Sequence, residues 1–381
     1  MLSDSLSIMF FGAYGRVFPE GDGSVTKEVP ADDDMSVVRD SLFYAAMGYP
    51  IELRVLEEHV MINIPNCGKT LRWFVENTAY SNNFIHTFVK RFISANITCF
   101  ENGVINADCK PDNICLKVDS DGNVSSVSII DGSLARHTDA HINDVVFTHA
   151  LSYRSPEALI TSSCDSRWQL TRDAYILNPY ILNMEKINVW AMGCVILYVF
   201  LGINAFFRSS YEDGDDVLRY IEMYTGDDHI IDIDRIMKNA TVHRKMDEDV
   251  KRLLRMMLVV DPLKRVDMNG VCRWFEHKPI PAFYQNVACY RKPRAVRSEV
   301  LDEYIKLVVN GLGCGGSIKI KNPHYYIPKK LLVPIGGVST SIILFDSLDL
   351  SSGCTRCCVS NLLHCLLISC YVMGCSAYTI A

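Results

Sequence analysis

Asp108, Lys110 and Asn113 stand in the run VINADCKPDNICL (104–116), a D-x-K-x-x-N spacing between two apolar stretches. Pro111 and Asp112 make this stretch a turn rather than a helix. The apolar VI before it and ICL after it read as short buried strands. A polar loop held at both ends by buried strands is how a rigid scaffold presents reactive side chains. Further along, VSIIDGSLAR (127–136) delivers Asp131 at the end of an apolar strand, a carboxylate placed to ligate a divalent cation. Upstream, FFGAYGRV (10–17) holds Gly12 and Gly15 three apart, followed by Val17. Without Cβ atoms at the two glycines, backbone N–H groups in that turn can approach phosphate. SVTK (24–27) puts Lys27 in the next strand, where its ammonium can hold phosphate oxygens. Each feature alone has an ordinary explanation: a hairpin loop, an Asp-Gly turn, a solvated lysine. Their ordered combination does not.

The elements that must position these groups follow from local pattern. Residues 6–29 alternate and are Gly-rich, which predicts antiparallel strands with turns at Gly12–Gly15 and Gly21–Gly23. DDDMSVVRDSLFYAAM (32–47) predicts one helix with an acidic first turn. Strand-like runs return over 51–64 and stop at Pro65, and helical spacing dominates from about 69 to 100. Residues 132–157 are polar and irregular. INVWAMGCVILYVFLG (187–202) is short for a membrane span and has polar flanks, so it reads as a buried helix. Helical segments continue to about 276, and 296–312, 338–352 and 355–378 read as three more. A strand-rich part therefore precedes a helix-rich part, with the D-x-K-x-x-N loop just past their junction.

At 381 residues the chain has room for about two to three domains. Its 49% apolar and 22% charged content supports a large core. A net charge of -6 with no polybasic run argues against a nucleic-acid partner. Fifteen cysteines follow no regular framework and no signal peptide opens the chain, so reduced thiols in the cytoplasm or nucleus are expected. Eight of the fifteen lie from Cys289 onward, which makes the tail compositionally distinct. CTRCC (354–358) comes closest to a metal half-site, without a second half to complete it.

The ordered set resembles the protein-kinase signature: Gly-rich loop, strand lysine, catalytic loop, metal aspartate, then LSYRSPEAL (151–159) as the A-P-E-like motif. NVWAMGC (188–194) and VVDPLKR (259–265) resemble two further family motifs, so the likeness covers about residues 5–280. It implies an α+β, bilobal kinase fold with a small strand-rich N-lobe at 1–66 and a larger helical C-lobe at 67–285. An all-α, Cys-rich extension at 286–381 would follow. YRSPE (153–157), DDVLRYIEMYTGDD (215–228) and SVVRDSL (36–42) resemble the cyclin-dependent and MAP kinase group, and K-P-D-N points to Ser/Thr substrates. The shortened connections have the style of a divergent, viral kinase. In the tail, ILFDSLDLSS and the apolar helix after it faintly resemble part of a cyclin box.

By this resemblance the ligands are ATP and Mg²⁺ and the substrates are proteins. Gly12, Gly15 and Val17 would cover the nucleotide, and Lys27 would hold its α- and β-phosphates. Residues 61–68 would be the hinge against adenine, with Ile62 and Ile64 contributing. Asp108 would orient the substrate hydroxyl, Lys110 would face the transferring phosphoryl group, and Asn113 and Asp131 would ligate Mg²⁺. Glu157 and Arg265 would form a structural ion pair. Several positions depart from the family pattern. Phe10 replaces the first loop glycine, and the catalytic loop reads N-A-D with Asn106 and Ala107. The metal motif reads D-G-S, so Gly132 cannot supply the family's aromatic plug. Asp40, one methylene shorter than glutamate, best matches the helix partner of Lys27, and Asn188 replaces a supporting aspartate. These losses keep open a pseudokinase alternative, a nucleotide-binding or protein-interaction scaffold. The tail is expected to act in cis on the N-lobe near 36–47. A C-terminal membrane anchor at 357–375 ranks last, because Asn361 and His364 would be costly in a bilayer.

Overall fold

The alternating stretches of the first 65 residues pair into one antiparallel sheet. The computed structural model describes residues 10–12, 15–20, 22–30, 40–41, 43–44, 47–55, 59–137, 149–163, 166–168, 171, 183–209, 213–240, 244–277 and 316–320. Strands β1 (Phe10–Gly12), β2 (Gly15–Pro19), β3 (Ser24–Pro30), β4 (Ile51–Val55) and β5 (His59–Pro65) adopt the order β1-β2-β3-β5-β4. Gly12 lies opposite Gly15 at the end of the β1–β2 pair. The register sets Val17 opposite Lys27 and Lys27 opposite Ile62, with Val25 opposite Ile64 two residues away. Directly opposed residues project to the same face, so Val17, Lys27 and Ile62 form one cross-strand row. Of the helix expected at 32–47, Asp40, Ser41, Phe43 and Tyr44 are helical and buried, and 32–39 lies outside the described residues.

After the sheet come β6 (Lys69–Thr70) and the helices α1 (Leu71–Asn77) and α2 (Asn82–Glu101). The hydroxyls of Thr70 and Ser81 cap these helices by accepting from Trp73 N and Phe84 N, which fixes where each begins. Next come β7 (Val104–Ile105), β8 (Ile114–Val118), β9 (Val124–Ile129) and β10 (Arg136–His137). β7 pairs with β10 and β8 with β9, and the D-x-K-x-x-N loop is strung between β7 and β8. Helices α3 (Pro156–Ser162), α4 (Met184–Leu201), α5 (Gly214–Tyr224), α6 (Ile233–Asn239), α7 (Glu248–Met257) and α8 (Met268–Phe275) complete the helical part. The apolar segment read as a buried helix is α4. Among the described residues it alone is long and apolar enough to cross a membrane, yet it is the spine of the core, packed on α2, α7 and α8. A helix apolar all round needs neighbours on every side.

One expectation needs correction. The extension read as all-α contributes a strand, β11 (Gly316–Ile320), which pairs antiparallel with β4 from Gly316↔Val55 to Ile320↔Ile51. GSIKI alternates, with β-branched Ile at 318 and 320, and β4 would otherwise leave its backbone groups unpaired at the sheet edge. The three tail helices, the cyclin-like stretch, the anchor candidate and CTRCC lie outside the described residues.

Candidate active site

The loop between β7 and β8 is held from within. Asp108 Oδ2 accepts from Lys110 Nζ at 2.5 Å and from Asn113 Nδ2 at 2.9 Å, while Oδ1 accepts from the Ala150 N–H at 3.2 Å. Asn113 Nδ2 also donates to Asp108 O at 3.0 Å. Both amide protons of Asn113 thus point at Asp108, and its carboxamide oxygen is the atom left to face a cation. Asn106, where the family pattern has histidine, still bridges two motifs. Its Oδ1 accepts from Asp108 N at 2.9 Å, and its Nδ2 donates to Asp131 O at 3.2 Å. From the far side, the Arg72 guanidinium of α1 grips Asp112 with two parallel bonds of 2.7 and 2.9 Å. Hydrogen bonding to Asp112 raises the Arg72 pKa.

Lys27 reaches two carboxylates, Asp40 Oδ2 at 2.6 Å and Asp131 Oδ1 at 2.9 Å. Burial alone would lower its pKa, but Asp40 and Asp131 outweigh that and hold the ammonium charged. Burial pushes Asp131 up, yet Lys27 and the Ser133 hydroxyl at 2.9 Å leave it lowered and therefore ionised. The shorter Asp40 does reach Lys27, because the helical segment is tied to the D-G-S motif. Asp40 Oδ1 accepts from Gly132 N at 2.6 Å, and Asp131 N donates to the Tyr44 hydroxyl at 3.1 Å. A Cβ on Gly132 would lie 2.2 Å from Phe43 Cβ and 2.4 Å from Phe43 Cγ. Phe43 is fully buried there, so the helix supplies the aromatic ring that D-G-S lacks. Two departures therefore compensate one another: the missing side chain at 132 admits the helix, and the helix so placed lets the short Asp40 reach Lys27.

This coupling gives an expected result. Gly132→Ala places a methyl inside the Phe43 contact and destabilises the fold by about 1–3 kcal/mol, as overpacking does. In urea unfolding, Gly132→Ala/Phe43→Gly, which removes the Phe43 Cβ and ring from the contact, should then be less destabilised than the two single losses summed. Strict additivity would show that the two residues are not in contact.

Hydrogen bonds bring the polar sequence-predicted residues together. Asp108, Lys110 and Asn113 are joined by hydrogen bonds, and Asn106 links that group to Asp131 and thence to Lys27. Val17, Ile62 and Ile64 share Lys27's face of the sheet, and Gly12 and Gly15 are paired at the end of β1 and β2. Phe43, Tyr44, Arg72 and His149 were not singled out by the sequence. Phe43 and Tyr44 lie within one helical turn of Asp40, the only hint available. A second buried centre sits behind the site. The Glu157 carboxylate takes both Arg265 terminal nitrogens at 2.6 and 2.8 Å, both side chains being fully buried. Arg265 also donates from Nε to Val259 O at 2.9 Å and stacks 5.0 Å from the Trp190 ring centroid. The expected structural pair is present.

Residues 55–275 match the family model for the protein kinase domain, more than half of the chain, and the chain belongs to that family. It is 24% identical over 205 residues to the probable serine/threonine-protein kinase MARK-A of Dictyostelium discoideum, covering 54% of this chain and 16% of that protein. A rice protein, CBL-interacting protein kinase 17 (Oryza sativa subsp. japonica), is 22% identical over 185 residues, 48% of this chain and 33% of its own length. The mouse sperm motility kinase Tcr mutant form is 28% identical over 146 residues, 38% of this chain and 25% of its own. The chain thus spans between about a sixth and a third of the length of these relatives. The fold is the bilobal protein-kinase fold, with its strand-rich and helical parts in the expected order.

Proposed function

We propose that the chain is an active kinase that transfers the γ-phosphoryl group of ATP, with Mg²⁺, to Ser or Thr of protein substrates. The observation that carries this reading is Lys27 bonded at once to Asp40 and Asp131, 13 and 104 residues away. Phosphoryl transfer asks little covalent chemistry of the protein; it needs held phosphates, a metal and an oriented hydroxyl. Asp131 and the Asn113 carboxamide offer hard oxygen donors of the kind Mg²⁺ takes, so the residues fit the cation. When bound, Mg²⁺ supplies charge neutralisation at the phosphates. Lys27 then holds phosphate oxygens, Asp108 accepts or orients the hydroxyl proton, and Lys110, on Asp108's own carboxylate, faces the transferring group. The scaffold alternative drew on N-A-D and D-G-S. Support for activity over it comes from Asn106 and Phe43, which restore the lost contacts with different residues.

The cyclin-dependent and MAP kinase affinity rests on YRSPE and SVVRDSL, and the Ser/Thr preference on K-P-D-N. The tail supports the N-lobe in cis, a reading favoured by β11 on the edge of β4. A reduced intracellular setting accords with the buried thiols Cys67, Cys99, Cys109, Cys115 and Cys194, which burial keeps protonated.

Thermal unfolding with ATP, with and without Mg²⁺, tests the reading. Ligand at about one hundred times its Kd should add about 2.7 kcal/mol of stability. Asp131→Asn should remove the Mg²⁺-dependent part of the shift, and radiolabelled phosphate should appear on Ser and Thr of a generic protein. No shift with millimolar MgATP, or label on Tyr alone, would defeat the proposal.

A further inference from the structure

The Asp108 carboxylate keeps its aim although Ala107 and Asn188 both replace family supports, and the contacts converge on a residue with no assigned role. His149 is a non-glycine residue at φ 62, in the left-handed region that L side chains adopt at a cost. It is 3% exposed, and burial pushes its pKa down to about 4, so the imidazole is neutral. Its N–H donates to Ala107 O at 2.9 Å, and Ala107 is itself left-handed at φ 59. Its carbonyl accepts from the Arg154 guanidinium at 3.1 Å. Its Nε2 lies 3.4 Å from Asn188 Oδ1, to which it donates in the tautomer protonated at Nε2. The next residue, Ala150, is the one whose N–H donates to Asp108 Oδ1.

We infer that His149 is a positioning residue for Asp108. Tied to Ala107 and Asn188, it fixes the left-handed turn that aims the Ala150 N–H at the Asp108 carboxylate, and so aims the carboxylate at the substrate hydroxyl. A histidine that merely filled space would gain nothing from a backbone conformation that glycine adopts more easily. Strain held at this point is what a site does when geometry matters more than local stability. The inference rests on the kinase reading above, but one arm of its test does not.

The test compares two variants of the full chain. His149→Gly relieves the backbone and removes the imidazole, while the His149→Gln amide nitrogen reaches about as far as Nε2. In steady-state transfer, kcat of the Gly variant should fall at least about tenfold with KM for ATP changed by less than about twofold, and Gln should recover at least about a third of wild-type kcat. Amide hydrogen exchange at Ala150 needs no activity: the N–H should be protected in wild type and in the Gln variant and exposed in the Gly variant. Equal kcat for Gly and wild type, equal impairment of both variants, or undiminished protection of Ala150 in the Gly variant would each overturn the inference. A wild type that transfers no phosphate would count against the kinase reading alone, with exchange still deciding the role of His149.

Discussion

Replacing Asp108 with Asn lowers kcat by about 10²–10⁴-fold and leaves the affinity for MgATP largely unchanged. That range follows from what the carboxylate does and what it leaves to others. In the proposed mechanism Lys27 and Asp131 would hold nucleotide and cation, and Lys27 bonds Asp131 rather than Asp108. Asp108 is bonded instead to Lys110, Asn113 and Ala150, which fix both of its carboxylate oxygens. Asn is nearly isosteric but turns an amide N–H₂ toward either Ala150 or the Lys110–Asn113 side, so it loses the proton acceptor and one or two hydrogen bonds. The loss corresponds to about 3–5 kcal/mol of transition-state stabilisation. Single-turnover transfer alongside calorimetric titration of MgATP separates the two quantities. A variant with wild-type kcat would remove Asp108 from the chemistry, and a variant that no longer binds MgATP would make its role structural.

Glu157→Ala should produce the largest loss of stability of any single change considered, about 3–5 kcal/mol in denaturant unfolding. The cost does not measure the attraction within the pair. It arises because the Arg265 guanidinium stays fully buried with its charge uncompensated, among Val259 O, Lys186 O and the Trp190 ring. Removing both charges with a matched apolar pair, Glu157→Leu/Arg265→Met, should therefore cost much less than Glu157→Ala alone. If the double change were as damaging as the sum of its parts, the pair would be supplying net stability rather than repaying its own burial. Because Glu157 opens α3, just after the Ala150 contact to Asp108, the Ala variant should also lose activity in step with its folded fraction.

What the sequence by itself determined are the groups whose chemistry admits few substitutes. A phosphate-holding ammonium, a metal carboxylate and a proton acceptor each demand a particular residue type, so Lys27, Asp131 and Asp108, with Lys110 and Asn113 beside Asp108, stand out by type and order as candidates for those roles. Alternation and apolar spacing likewise gave the N-lobe strands and the buried helix α4, because a strand face and a core helix are set by periodicity along the chain. The tertiary structure decided how the departures are made good. Gly132 and Phe43 lie 89 residues apart, and His149 and Asn188 39 apart. No local pattern couples residues at such separations, since packing volume and hydrogen-bond geometry are properties of the space between elements. The strand β11 escaped for a related reason. GSIKI alternates over only five residues, too few to specify a strand by themselves, and the edge of β4, some 260 residues earlier, gives its backbone groups partners.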